Sequence, residues 1–348
     1  MTDYLIVGSG LAGIAFAETA RRNGKSIVVF DNASQNSSRI AAGLYNPVVL
    51  KRFSGTAQAQ QQLDYLKTFY EVLESHLQRK FNFELPIFRR FFSAEEQNNW
   101  FQSSEKASLK DFLSPHLVRD EFQGINAPFS FGKVLQTGWV NTESLLKYYH
   151  QELSLLGQLR QKAFMHENLE FHEGQISYNN ITARNIIFAE GFGLHVNPYF
   201  NYLPLDGTKG ELLLIEAPNL KLDVIVNASV YILPLGSNLF KVGATYNWDD
   251  KFATPTFAAK QELIQKLNDI VTCDYKIISH MAGVRPTVKD RKPLVGTHHV
   301  HKRMHILNGL GTRGVMLGPF MAKILYDAIE CGTEIPREVD IKRFRIPS

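Results

Sequence analysis

Short apolar runs and an amphipathic segment alternate at the start of the chain. Residues 4–7 and 27–30 are wholly apolar, and each run is short enough to form a parallel strand that is buried on both faces. Residues 11–23 between them have helical character, and Gly24 directly follows the last helical turn. The order strand, helix, strand predicts a βαβ unit, with residues 8–10 at the turn from the first strand into the helix.

Longer amphipathic segments predict further helices. In residues 57–80, apolar side chains recur at steps of three and four, which is the pattern of a helix with one buried face. Another helix is expected between residues 138 and 158, with Asn141 or Thr142 as its N-cap. The remaining predicted helices cover residues 94–112, 260–270 and 315–330.

Extended patterns take over from residue 163. Short apolar runs are separated there by turn pairs such as Asn179-Asn180. Strands are expected at residues 163–165, 169–172, 175–178, 181–183 and 186–189, after an earlier one at 88–93. Runs at 211–215, 228–233 and 239–244 indicate an antiparallel sheet in a second lobe. A last strand over residues 305–307 leads into a glycine-rich turn.

The first glycine-rich turn has the spacing of a nucleotide-binding motif. Gly8 permits the tight turn, Gly10 lets the backbone approach a pyrophosphate, and Gly13 lets the helix pack closely on the strand. The partial positive charge at the helix N-terminus favours the phosphates. Asp31, at the end of the second strand, can accept hydrogen bonds from both ribose hydroxyls, and its charge repels a 2′-phosphate. The unit therefore predicts an adenine dinucleotide other than NADP.

A second glycine-rich turn lies near the other end of the chain. Residues 308–314, Asn-Gly-Leu-Gly-Thr-Arg-Gly, follow an apolar run and open a predicted helix. They therefore offer another set of backbone N–H groups to an anion or a polar ring. Two such turns at opposite ends of the chain suit one long cofactor, which favours FAD over NAD.

Composition and charge narrow the class of protein. The 348 residues suffice for two lobes, and the net charge of +4 is spread along the chain, so nucleic acid is not expected as a required partner. Two cysteines, Cys273 and Cys331, cannot form a disulfide framework, which indicates a reducing, cytoplasmic compartment. The sequence contains no run that is long and apolar enough to predict a membrane span.

The C-terminal part of the chain resembles the D-amino-acid oxidase superfamily. Residues 283–296, GVRPTVKDRKPLVG, together with the second glycine-rich turn, are similar to that group, and residues 38–44 match its flavin-contacting segment. The group includes glycine oxidase, sarcosine oxidase and the oxidase domain of a bifunctional tRNA wobble-uridine modification enzyme. The resemblance implies an α/β fold, in which a Rossmann-type FAD-binding domain carries an α+β substrate domain built on an antiparallel sheet. We expect the FAD-binding domain at residues 1–80, 134–202 and 281–348, and the substrate domain at 81–133 and 203–280.

The resemblance also implies a set of cofactor contacts. FAD is expected to bind non-covalently, because no cysteine or histidine aligns with the attachment site of sarcosine oxidases. One departure from the family is Glu190, which replaces a small neutral residue of its second dinucleotide turn. The residues expected to contact FAD are Gly8, Gly10, Leu11, Ala12, Gly13, Asp31, Asn32, Ser38, Arg39, Ala41, Ala42, Gly43, Leu44, Phe164, Ala189, Glu190, Gly191, Gly283, Arg285, Asn308, Gly309, Leu310, Gly311, Thr312, Arg313, Gly314 and Val315.

Three side chains are candidates for catalytic and substrate-binding roles. The resemblance implies Arg285 as the anchor of a substrate carboxylate, because a guanidinium can hold a carboxylate bidentately and the family's arginine has the same GxRP context. For Arg285 the alternative is an ordinary surface arginine in an ion pair. Tyr231 and Tyr246 are candidates for hydrogen bonds to the substrate, and the alternative for Tyr231 is a tyrosine packed in the core with its hydroxyl satisfied. Lys51 and Arg52 offer a cation near the flavin or, alternatively, a solvated basic pair.

The leading prediction is an FAD-dependent oxidoreductase. It would oxidise the C–N bond of a small amino acid or an N-substituted glycine by hydride transfer to flavin N5. The alternatives are a tRNA-modifying flavoenzyme that acts on a carboxymethylaminomethyl-uridine, and a non-catalytic flavin-binding protein. Four histidines between residues 298 and 305 lack a ligand-type arrangement, so no metal is expected.

Overall fold

The computed structural model describes residues 1–119 and 122–345, so residues 120, 121 and 346–348 of the predicted domain ranges lie outside the described part. The helices are α1 (Leu11–Arg22), α2 (Ser37–Ile40), α3 (Ala59–Leu77), α4 (Ala94–Ser104), α5 (Thr142–Leu155), α6 (Phe257–Asn268) and α7 (Gly314–Cys331). The strands are β1 (Thr2–Val7), β2 (Ile27–Phe30), β3 (Leu44–Tyr45), β4 (Val48–Val49), β5 (Ser54–Gly55), β6 (Asn82–Glu84), β7 (Ile87–Arg90), β8 (Leu113–Val118), β9 (Phe131–Val134), β10 (Gly138–Val140), β11 (Leu159–Arg160), β12 (Leu169–His172), β13 (Gln175–Tyr178), β14 (Ile181–Phe188), β15 (Thr208–Glu216), β16 (Ile225–Asn227), β17 (Tyr231–Gly236), β18 (Leu239–Gly243), β19 (Lys276–Arg285), β20 (Leu294–Thr297) and β21 (Met304–Asn308).

The first large sheet contains the predicted βαβ unit. Its strand order is β11-β2-β1-β14-β13-β12, and β21 pairs with β14 and with β20. β1 lies parallel to both β2 and β14, so that Tyr4 is opposite Ile27 on one side and Asn185 on the other. The apolar residues of β1 are buried, as expected for a central strand with both faces covered, and α1 packs against α7. The predicted Rossmann-type arrangement is therefore confirmed.

The second large sheet is mostly antiparallel. Its order is β19-β15-β18-β17-β16-β7-β9-β8, and among these pairs β16 and β7 run parallel. Helix α6 packs on one face, where Leu263 and Leu267 join a core that includes Phe240 and Val242. Alternation along the strands turns the other side chains, such as Leu212, toward a cavity. The predicted antiparallel sheet of a second lobe is confirmed.

The helix predicted over residues 94–112 is shorter in the structure. α4 ends at Ser104, whose hydroxyl donates a hydrogen bond to the carbonyl oxygen of Phe101 at 2.8 Å. Such bonds from a side chain to the backbone compete with continuation of a helix. The chain then turns, and Leu109 and Phe112 enter the core from that turn. The prediction was wrong beyond Ser104 because apolar spacing does not distinguish a buried turn from a helix.

Residues 163–165, which the structure describes, do not form the predicted strand. The ring of Phe164 stacks on Tyr178 with 4.1 Å between centroids, and the backbone N–H of Met165 donates to the Tyr178 hydroxyl at 3.1 Å. At the edge of the first large sheet, β2 pairs with β11.

The predicted cap of α5 is confirmed, since the Asn141 side chain accepts a hydrogen bond from the N–H of Ser144 at 3.1 Å.

The division into two domains stays a proposal, with one refinement. The boundary expected between residues 280 and 281 falls inside β19, which pairs with β15 along its whole length. We therefore propose placing that boundary after Arg285. In the part of the chain that the structure describes, no helix combines the length and apolar character needed to cross a membrane.

Candidate functional site

A cavity of about 460 Å³ connects the two large sheets. It begins at the carboxyl ends of β1 and β2, passes the second glycine-rich turn, and ends at the face of the second sheet beside Tyr231, Tyr246 and Arg285. The structure brings most of the predicted cofactor contacts to its wall. These are Gly8, Gly10, Leu11, Ala12, Asp31, Asn32, Ser38, Ala41, Ala42, Gly43, Leu44, Phe164, Ala189, Glu190, Gly191, Gly283, Arg285, Asn308, Leu310, Gly311, Thr312, Gly314 and Val315.

Four of the predicted cofactor contacts do not line this cavity. Gly13 is packed under the first turn, and Arg39 lines a smaller neighbouring cavity of about 340 Å³. Gly309 has a φ of +70°, which favours glycine, and a Cβ there would lie 2.5 Å from a methyl group of Val288, so this residue is needed for the backbone of the second turn. Arg313 is the N-cap residue of α7, and burial lowers the pKa of its guanidinium. The structure favours a supporting role for Gly13, Gly309 and Arg313, whereas Arg39 shares its cavity with Gly10 and Asp31 and stays a predicted cofactor contact.

Close backbone approach explains the glycines of the first turn. Gly8 has a φ of +97°, a conformation that favours glycine, and a Cβ there would lie 2.4 Å from the carbonyl oxygen of Ala189. A Cβ on Gly13 would lie 1.9 Å from the carbonyl oxygen of Gly8. Gly10 is the N-cap residue of α1 and presents backbone to the cavity. The turn thus holds the N-terminus of α1 against the end of β1 and leaves room for an anion.

Asp31 is held by the first turn itself. One carboxylate oxygen accepts hydrogen bonds from the N–H and hydroxyl of Ser9 at 2.6 and 2.5 Å, and the other accepts from the N–H of Ala33 at 2.6 Å. The Ser9 hydroxyl also lies 2.7 Å from Nε2 of His150. These contacts hold the carboxylate at the cavity wall in the place where a ribose is expected.

Glu190 makes its contacts with neighbouring side chains. Its carboxylate accepts a hydrogen bond from the Asn197 amide at 2.6 Å and lies 3.1 Å from Nε2 of His166. Its two chain neighbours, Ala189 and Gly191, line the cavity. The departure from the family pattern therefore leaves these two residues at the cavity wall.

The second glycine-rich turn joins the two ends of the cavity. The amide of Asn308 donates to the carbonyl oxygen of Gly191 at 3.0 Å and accepts from the N–H of Gly309 at 2.8 Å. The N–H of Gly311 donates to the carbonyl oxygen of Pro286 at 3.1 Å, directly after Arg285. These bonds place the N-terminus of α7 and Arg285 at one wall.

Lys241, a partly buried lysine beside residues 38–44, was missed by the sequence analysis, although it is not itself among the residues that line the cavity. Nζ of Lys241 lies 3.4 Å from the carbonyl oxygen of Ala41, and burial lowers the pKa of this amine, with Glu143 opposing the shift. Lys51 and Arg52, which the sequence suggested for a cation near the flavin, are exposed and do not line the cavity. The strand alternation of residues 239–243 was the available signal, because it sets Lys241 on the same face as Gly243.

Arg285 and the two tyrosines form the far end of the cavity. Nη1 of Arg285 lies 3.4 Å from the carbonyl oxygen of Thr245, and its Cζ lies 4.6 Å from the centroid of the Tyr246 ring. Burial raises the pKa of Tyr231, and the nearby charge of Arg285 opposes that shift, so the phenol keeps its proton at neutral pH. Tyr246 is 63% exposed and stands at the mouth. This end therefore combines a cation with a neutral hydroxyl.

A buried ionic cluster fixes the loop that carries Tyr246. Lys209 and Glu211 in β15 are almost fully buried and lie 3.2 Å apart. Nζ of Lys209 lies 2.5 Å from Asp250, while Glu211 accepts hydrogen bonds from the N–H and hydroxyl of Thr256 at 2.8 and 3.0 Å. Both ends of the segment after Tyr246 are therefore bound to one strand.

Three of the four histidines between residues 298 and 305 belong to an aromatic cluster, namely His298, His299 and His301, while His305 contacts Thr297 at 2.8 Å. His301 stacks on Phe171 with 3.9 Å between ring centroids, and Tyr199 packs edge-on against both rings. Burial, together with the neighbouring histidines, lowers the pKa of His298 to about 4. Among the residues that the structure describes, no group of histidine, cysteine and acidic side chains has an arrangement suited to a metal ion.

Comparison with known proteins decides the family. The family model described as "DAO: FAD dependent oxidoreductase" matches residues 3–328. The chain belongs to this family. It is an FAD-dependent oxidoreductase, and the resemblance seen in its sequence is confirmed.

Two curated relatives and one solved structure show how far the likeness extends. The "tRNA 5-methylaminomethyl-2-thiouridine biosynthesis bifunctional protein MnmC" of Idiomarina loihiensis is 20% identical over 93% of this chain and 55% of its own length. The glycine oxidase of Bacillus subtilis is 21% identical over 94% of this chain and 92% of its own length. The crystal structure of glycine oxidase from Geobacillus kaustophilus has a TM-score of 0.77 at 18% identity and covers 95% of both chains. The chain spans about half the length of the first relative and has the glycine oxidase fold.

The cavity fits FAD as its cofactor. Gly191 and Gly311 line it, and a Cβ on Gly191 would meet no atom within 4 Å, while one on Gly311 would meet only Thr287 at 3.9 Å. Side chains at these two positions would therefore project into the space that an extended dinucleotide needs. Asp31 and Gly10 stand at the adenosine end of this space, as we infer, and the second glycine-rich turn stands at the flavin end. Non-covalent binding stays a prediction.

Replacing Gly13 with valine is expected to weaken FAD binding by more than about tenfold, because the side chain would push α1 away from the Gly8 carbonyl and distort the turn. The dissociation constant is measured from flavin fluorescence on titration of the apoprotein, with circular dichroism as a check on folding. Gly55→Ala is the control, since a Cβ there makes only ordinary contacts at 3.5 Å. A folded Gly13→Val variant with the parent's affinity would contradict the assignment of this turn.

Proposed function

We propose that this chain oxidises the C–N bond of a small amino acid or an N-substituted glycine. The observation that carries the proposal is the state of Arg285. Within the described residues its guanidinium has no carboxylate partner, and it contacts the Thr245 carbonyl and the Tyr246 ring at the end of the cavity. A partly buried cation without a counter-charge favours an anionic ligand, and a guanidinium suits a carboxylate in particular.

Tyr231 supports the same ligand. Its hydroxyl is protonated at neutral pH, as in any ordinary tyrosine, and burial raises its pKa further, so it can donate a hydrogen bond to a carboxylate or accept one from an amine. Arg285 and Tyr231 line the same wall. A carboxylate held there would carry its α-carbon and amine with it into the cavity, which orients the bond to be oxidised.

The chemistry asked of the protein is modest. FAD, when bound, supplies the acceptor for a hydride at N5. The neutral amine would lose a hydride from its α-carbon and become an iminium ion, which water would then hydrolyse with release of a proton to solvent. A neutral amine needs no protein base for this step. The chain's residues therefore bind and orient the substrate, and we assign Arg285 and Tyr231 to that role and Tyr246 to covering the guanidinium.

Anaerobic mixing of the FAD-loaded protein with single amines tests the proposal. Glycine, sarcosine, proline, iminodiacetate and D-alanine are each added, and loss of the visible absorbance of oxidised flavin is followed by stopped flow. At least one of them is expected to bleach the flavin. Dimethylamine is the matched control for sarcosine, because it has the same C–N bond without the carboxylate. Equal bleaching by the two amines, or no bleaching by any of the five, would overturn the proposal.

A second candidate substrate is a carboxymethylaminomethyl group carried on a tRNA uridine. The observation that favours it is the exposure of Tyr246, because a carboxylate anchor at an open mouth can receive a glycine unit attached to a larger molecule. The name of the Idiomarina loihiensis relative also refers to tRNA. Binding of tRNA that weakens steeply with salt is the expected result for this candidate, and a failure to retain tRNA even at low salt excludes it.

A further inference from the structure

Two glycines lie directly beneath the side chains assigned to substrate binding. Gly210 in β15 and Gly243 at the end of β18 both line the cavity. A Cβ on Gly210 would lie 1.9 Å from Nη2 and 2.1 Å from Cζ of Arg285. A Cβ essentially never lies within 3.0 Å of a heavy atom outside its own residue and its two chain neighbours. The guanidinium therefore lies over the α-carbon of Gly210, in space that any side chain would occupy.

The register of the sheet produces this arrangement. Arg285 is opposite Thr208 in the pairing of β19 with β15, and its side chain extends along the sheet to reach Gly210. Lys209 and Glu211, on either side of Gly210, are committed to the buried ionic cluster. Because side chains alternate along a strand, those two anchors keep the α-carbon of Gly210 turned toward the guanidinium.

Gly243 has the same relation to Tyr231. The two residues are directly opposite each other in the pairing of β17 with β18. A Cβ on Gly243 would lie 2.7 Å from the Tyr231 hydroxyl oxygen, 3.0 Å from its Cζ and 3.0 Å from Cβ of Leu212. The phenol thus lies across the space left by the missing side chain.

We propose that Gly210 and Gly243 are positioning residues for substrate binding. Because Gly210 has no side chain, the Arg285 guanidinium can lie against the sheet, and Gly243 gives the same room to the Tyr231 phenol. The cavity beside these two groups then stays open for a carboxylate. The identity of the ligand rests on the proposed function, whereas the packing of the guanidinium on Gly210 can be tested without any ligand.

A double-mutant cycle tests the packing in the FAD-loaded protein. Gly210→Ala is expected to lower the thermal midpoint by about 1–3 °C in the parent, because the methyl group displaces the flexible guanidinium from its contacts with the Thr245 carbonyl and the Tyr246 ring. The same substitution in the Arg285→Ala background is expected to cost nothing further, since the obstacle is gone. An equal loss in both backgrounds would overturn the inference, because it would show that the methyl group meets something other than Arg285.

Binding of glycolate, an unreactive carboxylate, supplies the functional readout. Its dissociation constant is measured from the change that it causes in the flavin spectrum. Gly210→Ala and Gly243→Ala are each expected to weaken it at least tenfold, with Gly55→Ala as the unaffected control and FAD content unchanged in all three. Parent-like glycolate binding by Gly210→Ala would overturn the positioning role. If Arg285→Ala leaves glycolate binding unchanged, the proposed function fails, and the thermal cycle still decides whether Gly210 accommodates the guanidinium.

Discussion

Arg285→Ala is expected to lower kcat/KM for the amino-acid substrate by roughly 10²–10⁴-fold. Truncating one partner of a partly buried, hydrogen-bonded charge pair costs about 3–5 kcal/mol, and each 1.36 kcal/mol changes a rate about tenfold. The loss is set by the carboxylate that remains in the cavity without its counter-charge. The kcat/KM of Arg285→Lys should lie between those of the parent and of Arg285→Ala, because an ammonium keeps the charge and loses the bidentate geometry.

Reduction of FAD by substrate under anaerobic conditions is the measurement for both variants, with FAD content determined in parallel. Arg291→Ala is the matched control, since its guanidinium lies 5.9 Å from the Trp248 ring and does not line the cavity. Parent-like reduction by Arg285→Ala, with FAD bound, would show that the substrate is not anchored by this guanidinium. The oxidoreductase family would stand, and the substrate class would have to be sought elsewhere.

Local motifs made the cofactor end of the site predictable. Gly8, Gly10 and Asp31 stand at fixed steps within one βαβ unit, so their places in space follow from the strand–helix–strand order. The second glycine-rich turn also follows from a strand and a helix that are adjacent in the chain. The hydrogen bond from the Asn308 amide to the Gly191 carbonyl oxygen, which a sequence does not reveal, shows how the two turns come to share a cavity.

The substrate end could not be predicted in the same way, because it depends on pairing between distant strands. Nothing in the pattern near Gly210 shows that the guanidinium of Arg285 will lie on it, since that contact needs the β15–β19 register. Buried charges were equally hidden. Lys209 and Lys241 look like surface residues in a sequence. The full burial of Lys209 and the partial burial of Lys241 follow from the loop and the segment that pack against them.

Tyr246 shows the limit of reasoning from position along a strand. The sequence placed it beyond a strand end as a substrate-binding candidate, and the structure places it at the cavity wall. Its large exposed fraction and its contact with Arg285 favour a role in covering the mouth. Whether Tyr246 binds substrate or covers the mouth depends on the orientation of its loop, and the ionic cluster on β15 determines that orientation.

Lys209→Met is expected to destabilise the protein by about 3–5 kcal/mol, because it leaves Glu211 as a buried charge without its ammonium partner. Burial alone would lower the pKa of Lys209, but Asp250 and Glu211 raise it above its ordinary value, so the lysine is charged in the folded protein. The hydrogen bond from its Nζ to the Thr254 carbonyl at 2.6 Å is lost as well. The loop that follows Tyr246 should then become sensitive to proteases.

Denaturant unfolding of the FAD-loaded protein measures the loss, and Lys251→Met is the matched control. Lys251 is in the same loop, and its Nζ pairs with Asp206 at 3.1 Å and donates to the Gly207 and Trp248 carbonyl oxygens at 2.9 and 2.6 Å. Because the Lys251–Asp206 pair is partly exposed and leaves no buried charge behind, its removal should cost clearly less than that of Lys209. Adding Glu211→Gln to Lys209→Met removes the stranded charge and should recover part of the stability, which a simple packing defect would not allow. Equal small losses for Lys209→Met and Lys251→Met would contradict the cluster's role. A large loss for Lys209→Met alone would show that the buried ionic cluster, and not the exposed pair of Lys251, stabilises this loop against strand β15.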